Sequence, residues 1–180
     1  NLPPEAVEDI IMGCGNPEGA QGHNVGRNAA VLSNLPITTG GTTINRYCSS
    51  GMQSISMAAS QIMAGCYDTV IAGGAETISM MQGKQNMDNF VNERLAEKSP
   101  GIYYPMGMTA EVVAKRYNVS REAQDEYAFE SQMRTAAAQQ AGAYDDEIIP
   151  METKMLLMNK ETGDSKEIDY CVEKDECNRP

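Results

Sequence analysis

Cys48 stands between a β-branched run, Thr42-Thr43-Ile44, and a stretch in which Met52, Ile55, Ala59, Ile62 and Met63 recur at helical spacing. Gly40-Gly41 breaks the chain ahead of the first run, and Gly65 is placed to stop the second. The cysteine is therefore expected where a strand ends and a helix begins. At such a junction the first backbone N–H groups lack intrahelical partners and the helix dipole supplies partial positive charge, which together favour a thiolate. A cysteine so placed can act as a nucleophile, and its small neighbours Ser49, Ser50 and Gly51 leave room for a substrate carbonyl. Free cysteine is also among the most buried residue types, so the same spacing fits an inert, packed thiol.

The other reactive side chains say less. Cys14, Cys66, Cys171 and Cys177 complete an odd set of five with no C-x-x-C or Cys/His spacing, so neither a disulfide framework nor a metal site is expected. His23, the only histidine, lies in a glycine-rich loop; a ligand or a base is conceivable there, but a solvated side chain is the expectation. The net charge of −11 argues against a nucleic-acid surface. It is uneven: residues 121–180 carry 15 acidic and 7 basic side chains, against 10 and 7 in residues 1–120. A phosphate-rich ligand would need a local basic patch that the net charge does not supply. No apolar run approaches the roughly 18–20 residues of a membrane span, and no charged-then-apolar leader opens the chain. These features predict a reduced, cytoplasmic protein with no membrane or nucleic-acid partner.

At 180 residues the chain can build one sizeable core and an appended subdomain. A helical turn within Asn1–Ile10 leads into a strand through Ile11-Met12, then a loop carries Gly13, Gly15 and Gly19. Asn24 to Leu32 is a helix candidate ended by Asn34-Leu35-Pro36. Thr69 to Ala72 is a short apolar strand, and Gly73-Gly74 permits a tight turn at its end. Two strands flanking one helix make a βαβ unit, which packs in a parallel sheet with function at the carboxyl ends of its strands. From Met80 to about Pro105 periodicity is lost, as in a long surface loop. Thr109 to Tyr117 reads as a helix, and Ser120 caps another that runs to Gly142. Thr153 to Pro180 reads as two short strands around a turn at Lys160–Asp164. Most of the 13 methionines are expected to fill cores, although flexible thioethers also suit acyl pockets.

The segment Asn45-Arg46-Tyr47-Cys48-Ser49-Ser50-Gly51, followed by Ile71-Ala72-Gly73-Gly74-Ala75-Glu76, resembles the thiolases, the acetyl-CoA acetyltransferases and 3-ketoacyl-CoA thiolases. The resemblance continues through Tyr104–Glu111, Val119–Asp125, Asp146–Pro150 and Asp175–Pro180, in the family's order and over nearly the whole chain. It implies an α/β fold, the layered α/β/α N-terminal half of a thiolase with an inserted loop domain. Residues 1–79 would be a partial N-terminal domain that lacks the family's first strand and helix, and residues 80–180 the loop domain that covers the site and holds coenzyme A. The Thr42–Asn45 strand would pair across a two-fold axis, giving a homodimer or homotetramer.

By the same resemblance Cys48 is the catalytic residue that carries an acyl group as a thioester, with Ser49, Met106 and Gly107 in the substrate pocket. Acyl-CoA and coenzyme A are the implied partners, coenzyme A as a substrate rather than a permanently bound cofactor. The family's base and second acid/base, a histidine in a G-H-P segment and a cysteine in a C-x-G-G-G segment, have no counterpart among these residues. Pro105 before Met106 resembles the branch that degrades 3-ketoacyl-CoA; acetoacetyl-CoA synthesis is the close alternative, and a fragment competent only for folding and association is the other. Ketosynthase-like condensing enzymes share the fold, but N-R-x-C-x-S-G and M-G-x-T-A-E fit thiolases better.

Overall fold

In the computed structural model, which describes residues 2–179, the apolar run near the head of the chain becomes the middle strand of a three-stranded parallel sheet. This strand, β1 (Asp9–Gly13), is buried at four of its five positions, as a strand covered on both faces requires. β2 (Thr42–Ile44) pairs with it on one side and β3 (Val70–Gly74) on the other, so Ile11 is opposite both Thr42 and Ala72. The sequence between β2 and β3 therefore crosses over β1 instead of joining adjacent strands.

α1 (Val25–Leu32) starts at Asn24, whose Oδ1 accepts the Arg27 N–H at 3.1 Å and the Thr43 hydroxyl at 2.9 Å, tying the helix cap to β2. Val7, Ile10 and Ala30 form the core against α1, with Met12 and Leu35 packed on it. Thr39 is buried and donates its hydroxyl to the Val7 carbonyl at 2.8 Å, which closes the loop before β2 onto the start of the sheet.

α2 (Ser50–Met63) crosses the sheet between β2 and β3, and Gly65 follows it at φ 71° as the expected stop. The helical spacing is as read, but the apolar stripe is not what the helix buries. Ser50, Ser54 and Ala58 are its buried residues, while Met52 is 76% and Met63 88% exposed. Small side chains let the helix approach the sheet so closely that the Ser54 hydroxyl reaches the Gly73 carbonyl of β3 at 2.8 Å. A short helix, α3 (Ile78–Met81), follows β3 and buries Met81.

Residues Asn1–Asn92 and Glu93–Pro180 form two compact units. The second contains α4 (Glu93–Lys98), α5 (Met106–Tyr117), α6 (Arg121–Gln140) and a hairpin of β4 (Met151–Met158) and β5 (Ser165–Val172). The stretch read as a loop from Met80 to Pro105 thus holds the end of α3 and all of α4, and α5 begins three residues earlier than the spacing indicated. Pro105 explains the earlier start, since its fixed φ and missing N–H cost nothing at a helix N-terminus. Ser120 caps α6 as expected, its Oγ accepting the Ala123 N–H at 3.1 Å. Asn159 caps the hairpin turn, accepting the Glu161 N–H at 2.9 Å. Asn1 and Pro180, where two of the expected segments end, lie outside the described residues.

Candidate active site

The carboxyl ends of β1 and β3 and the N-terminus of α2 meet at one place, as a parallel sheet with a crossover helix dictates. Their approach is close: a Cβ added to Gly13 would lie 2.6 Å from the Gly51 nitrogen, so only glycine fits at the end of β1. The chain does not pass directly from β2 into α2. It makes a 3-10 turn, Tyr47–Ser49, entered through Tyr47 at φ 48°. Asn45 Oδ1 accepts the Tyr47 N–H at 2.8 Å, and the Ser50 hydroxyl accepts the Arg46 N–H at 2.9 Å and donates to the Tyr47 carbonyl at 2.6 Å. These bonds hold a left-handed residue immediately before Cys48.

Cys48 is exposed and lines a cleft of about 370 Å3, with Ser50 and Gly51 of α2 beside it and Asn16 and Glu76 from the two strand-end loops. The Cys48 thiol is thus open to the cleft and not packed in the core of this unit. The buried cysteine is Cys14, where burial pushes the pKa up, the Asn16 backbone N–H works against that, and the Glu76 charge adds to it. Ser49 is exposed beside Cys48 at the N-cap position of α2. Met106 and Gly107 open α5 in the second unit, where Met106 is exposed. His23 is exposed in its loop with φ 60°.

Glu76 is the site residue that sequence reading missed. Its Oε2 accepts the Gly15 N–H at 2.6 Å and its Oε1 accepts from the Gln21 amide. Burial acts to raise its pKa, but the bonds from Gly15, Gln21 and Asn16 outweigh this and hold the carboxyl below its ordinary value. Its signal was present: a lone carboxylate two residues after the Gly73-Gly74 strand end, in the cleft where function was expected. Among the described residues no lysine or arginine lines the cleft, and there is no cluster of three or more metal-ligating side chains. No helix among them is long and apolar enough to cross a membrane.

The family model for the thiolase N-terminal domain matches residues 1–179. The chain belongs to the thiolase family. A 3-ketoacyl-CoA thiolase from Bacillus subtilis strain 168 is 48% identical over 157 residues, covering 86% of this chain and 39% of the relative. An acetyl-CoA acetyltransferase from Chromobacterium violaceum is 40% identical over 161 residues, covering 82% of this chain and 40% of that one. The crystal structure of the Bacillus anthracis acetyl-CoA acetyltransferase superposes with a TM-score of 0.74 at 32% identity, over 99% of this chain and 45% of that structure. The α/β fold of a thiolase N-terminal domain is thus shared with a solved thiolase. The chain spans about two fifths of the length of the curated relatives it matches.

Proposed function

We propose that the whole protein is a 3-ketoacyl-CoA thiolase in which Cys48 carries the acyl group. The observation that supports this best is the exposed thiol at the head of α2, facing a cleft whose backbone turns are held by hydrogen bonds independent of any ligand. In the forward reaction the Cys48 sulfur attacks the 3-keto carbon, the C2–C3 bond breaks, and the departing two-carbon unit takes up a proton to leave as acetyl-CoA. The thiol of free coenzyme A then attacks the resulting thioester, removes the shortened acyl chain and returns the proton to Cys48. No histidine or second cysteine lines the cleft among the described residues, so this reading assigns the proton transfers to parts of a thiolase that these residues do not match. Ser49, Met106 and Gly107 are assigned to the acyl-CoA pocket. A homodimer or homotetramer paired through Thr42–Asn45 belongs to the same reading, as does cytoplasmic residence, which the five unpaired cysteines support.

The higher identity to a 3-ketoacyl-CoA thiolase favours the degradative direction, whereas the shared fold with an acetyl-CoA acetyltransferase is what favours acetoacetyl-CoA synthesis. Thiolysis of 3-ketoacyl-CoA substrates from C4 to C16 by the full-length protein separates the two. Turnover across several chain lengths, abolished by Cys48→Ser, is the expected result; turnover of acetoacetyl-CoA alone overturns the degradative assignment.

A further inference from the structure

We propose that Glu76, clamped by Gln21, is a positioning residue for Cys48, holding the end of β1 against the turn that presents the thiol. This rests on the reading of Cys48 as the acyl carrier. Both Glu76 oxygens are occupied, one by the Gly15 N–H at 2.6 Å and the other by the Gln21 amide. The same Gln21 Nε2 donates to the Asn16 carbonyl at 2.7 Å, and Gln21 Oε1 accepts the Thr77 N–H at 2.6 Å. One carboxylate and one buried amide thereby join the loop after β1, the 3-10 turn Gly19–Gln21 and the loop after β3. A carboxylate suits this place because it is acceptor-only and meets donors on both sides, and its charge strengthens both bonds.

The clamp reaches Cys48 through Gly15. Gly15 lies beside the Tyr47 carbonyl, with room for a Cβ at ordinary contact distance. Two residues earlier the end of β1 packs directly on the residue after the turn, where a Cβ on Gly13 would fall 2.3 Å from the Ser50 carbonyl carbon. Tyr47 holds its left-handed φ with an exposed side chain. Its backbone is located by its neighbours, by the bonds from Asn45 and Ser50 and by the end of β1, which at Gly13 packs against the Ser50 backbone.

The test exploits the polarity of the pair. In Glu76→Gln the amide oxygen can still accept from Gly15, but its NH2 faces the NH2 of Gln21. Gln21→Glu sets two carboxylates against each other. The double exchange E76Q/Q21E restores complementarity, because the amide at 76 donates to the carboxylate at 21, which still accepts from Thr77; only the Asn16 carbonyl loses its donor. Three quantities are read in the full-length protein: kcat and KM for thiolysis, the iodoacetamide labelling rate of Cys48 relative to Cys66, and the thermal midpoint. Each single exchange is expected to lower kcat and Cys48 labelling by about tenfold with KM within about twofold, and the double exchange to recover most of both. Single exchanges that leave Cys48 labelling unchanged overturn the proposal. So does a double exchange that restores the thermal midpoint while both rates stay low, since the clamp would then serve folding alone. If the wild-type protein shows no thiolysis, the functional reading fails by itself, and the labelling series, which needs no acyl-CoA, still decides the clamp.

Discussion

β1 is the middle strand of the first unit and α6 the longest helix of the second, but they bury different things. Ile10 and Ile11 of β1 are 4% and 1% exposed, whereas α6, at 20 residues, buries only Ala136 and leaves Tyr127 and Phe129 open to solvent. β1 is an apolar run with strands bonded on both sides. α6 is a charged helix with a serine cap and ion pairs at i,i+4 spacing, Arg121 with Asp125 and Glu130 with Arg134. Surface pairs of that kind contribute little. The first unit is thus held by tertiary burial and the second, within its own residues, by local terms, although both are built from elements with clear sequence signals.

The sharpest way to break this contrast is Ile11→Ala. Deleting a fully buried aliphatic side chain from the middle of the sheet is expected to cost about 2–5 kcal/mol. Urea denaturation with hydrogen exchange read across β1 and β3 should show the loss there and none across α6. A loss below about 1 kcal/mol would mean that the sheet is not packed as described. Next in size is Ser54→Ala. Ser54 is fully buried and its hydroxyl lies between the Gly51 and Gly73 carbonyls, so its removal strips a donor from the contact between α2 and β3. About 1–3 kcal/mol is expected, again confined to the first unit.

Acid should also distinguish the units, by less. The Glu76 carboxyl is held below its ordinary value of 4.5, so its contribution is complete above that pH and disappears as pH falls from there through the folded value. Protection of the Gly15 and Thr77 amides, taken as exchange relative to the intrinsic rate at each pH, should therefore fall below about pH 4.5, and Glu76→Gln should remove that dependence. An equal acid response in the variant would assign it to other carboxylates.

What the sequence revealed follows the same division. β1, α1, α2, the Ser120 cap and the hairpin were legible because each has a local signature: an apolar run, a cap, a period or a turn. That Cys48 falls between a strand and a helix was legible too, with the small residues around it, but the 3-10 turn Tyr47–Ser49 that carries it was not. The direction of α2 was not. Its apolar stripe, Met52 to Met63, marks the helix but faces outward, because backbone proximity at Gly13 and Gly74 selects small residues on the inner face, and no one-dimensional pattern records that proximity. Glu76 escaped for a similar reason. Its partners Gly15 and Gln21 lie 61 and 55 residues away, and the amide that holds it is an unremarkable glutamine until the fold buries it.

The smallest expected effect tests the local side of the comparison. Ser120 Oγ accepts the Ala123 N–H, one of the first-turn donors of α6 that would otherwise have no intrahelical partner. Its hydroxyl also helps, after the residue's own backbone N–H, to keep the Glu122 carboxyl below its usual range, so the first turn of α6 gathers negative charge where the helix dipole favours it. Removing the oxygen with Ser120→Ala is expected to cost about 1 kcal/mol, as N-cap losses do, and to act on the first turn before the rest of the helix. Hydrogen exchange at the amides of Glu122, Ala123 and Gln124 should accelerate about fivefold, since a factor of ten corresponds to 1.4 kcal/mol. Exchange near Ala136, the one buried residue of the helix, should change little. Ser120→Asp, which keeps an acceptor and adds charge of the favoured sign, should restore protection or exceed it. If Ser120→Ala accelerated exchange nowhere in the first turn, or if Ser120→Asp loosened the helix, α6 would be held by contacts its own cap does not set, and the second unit would resemble the first after all.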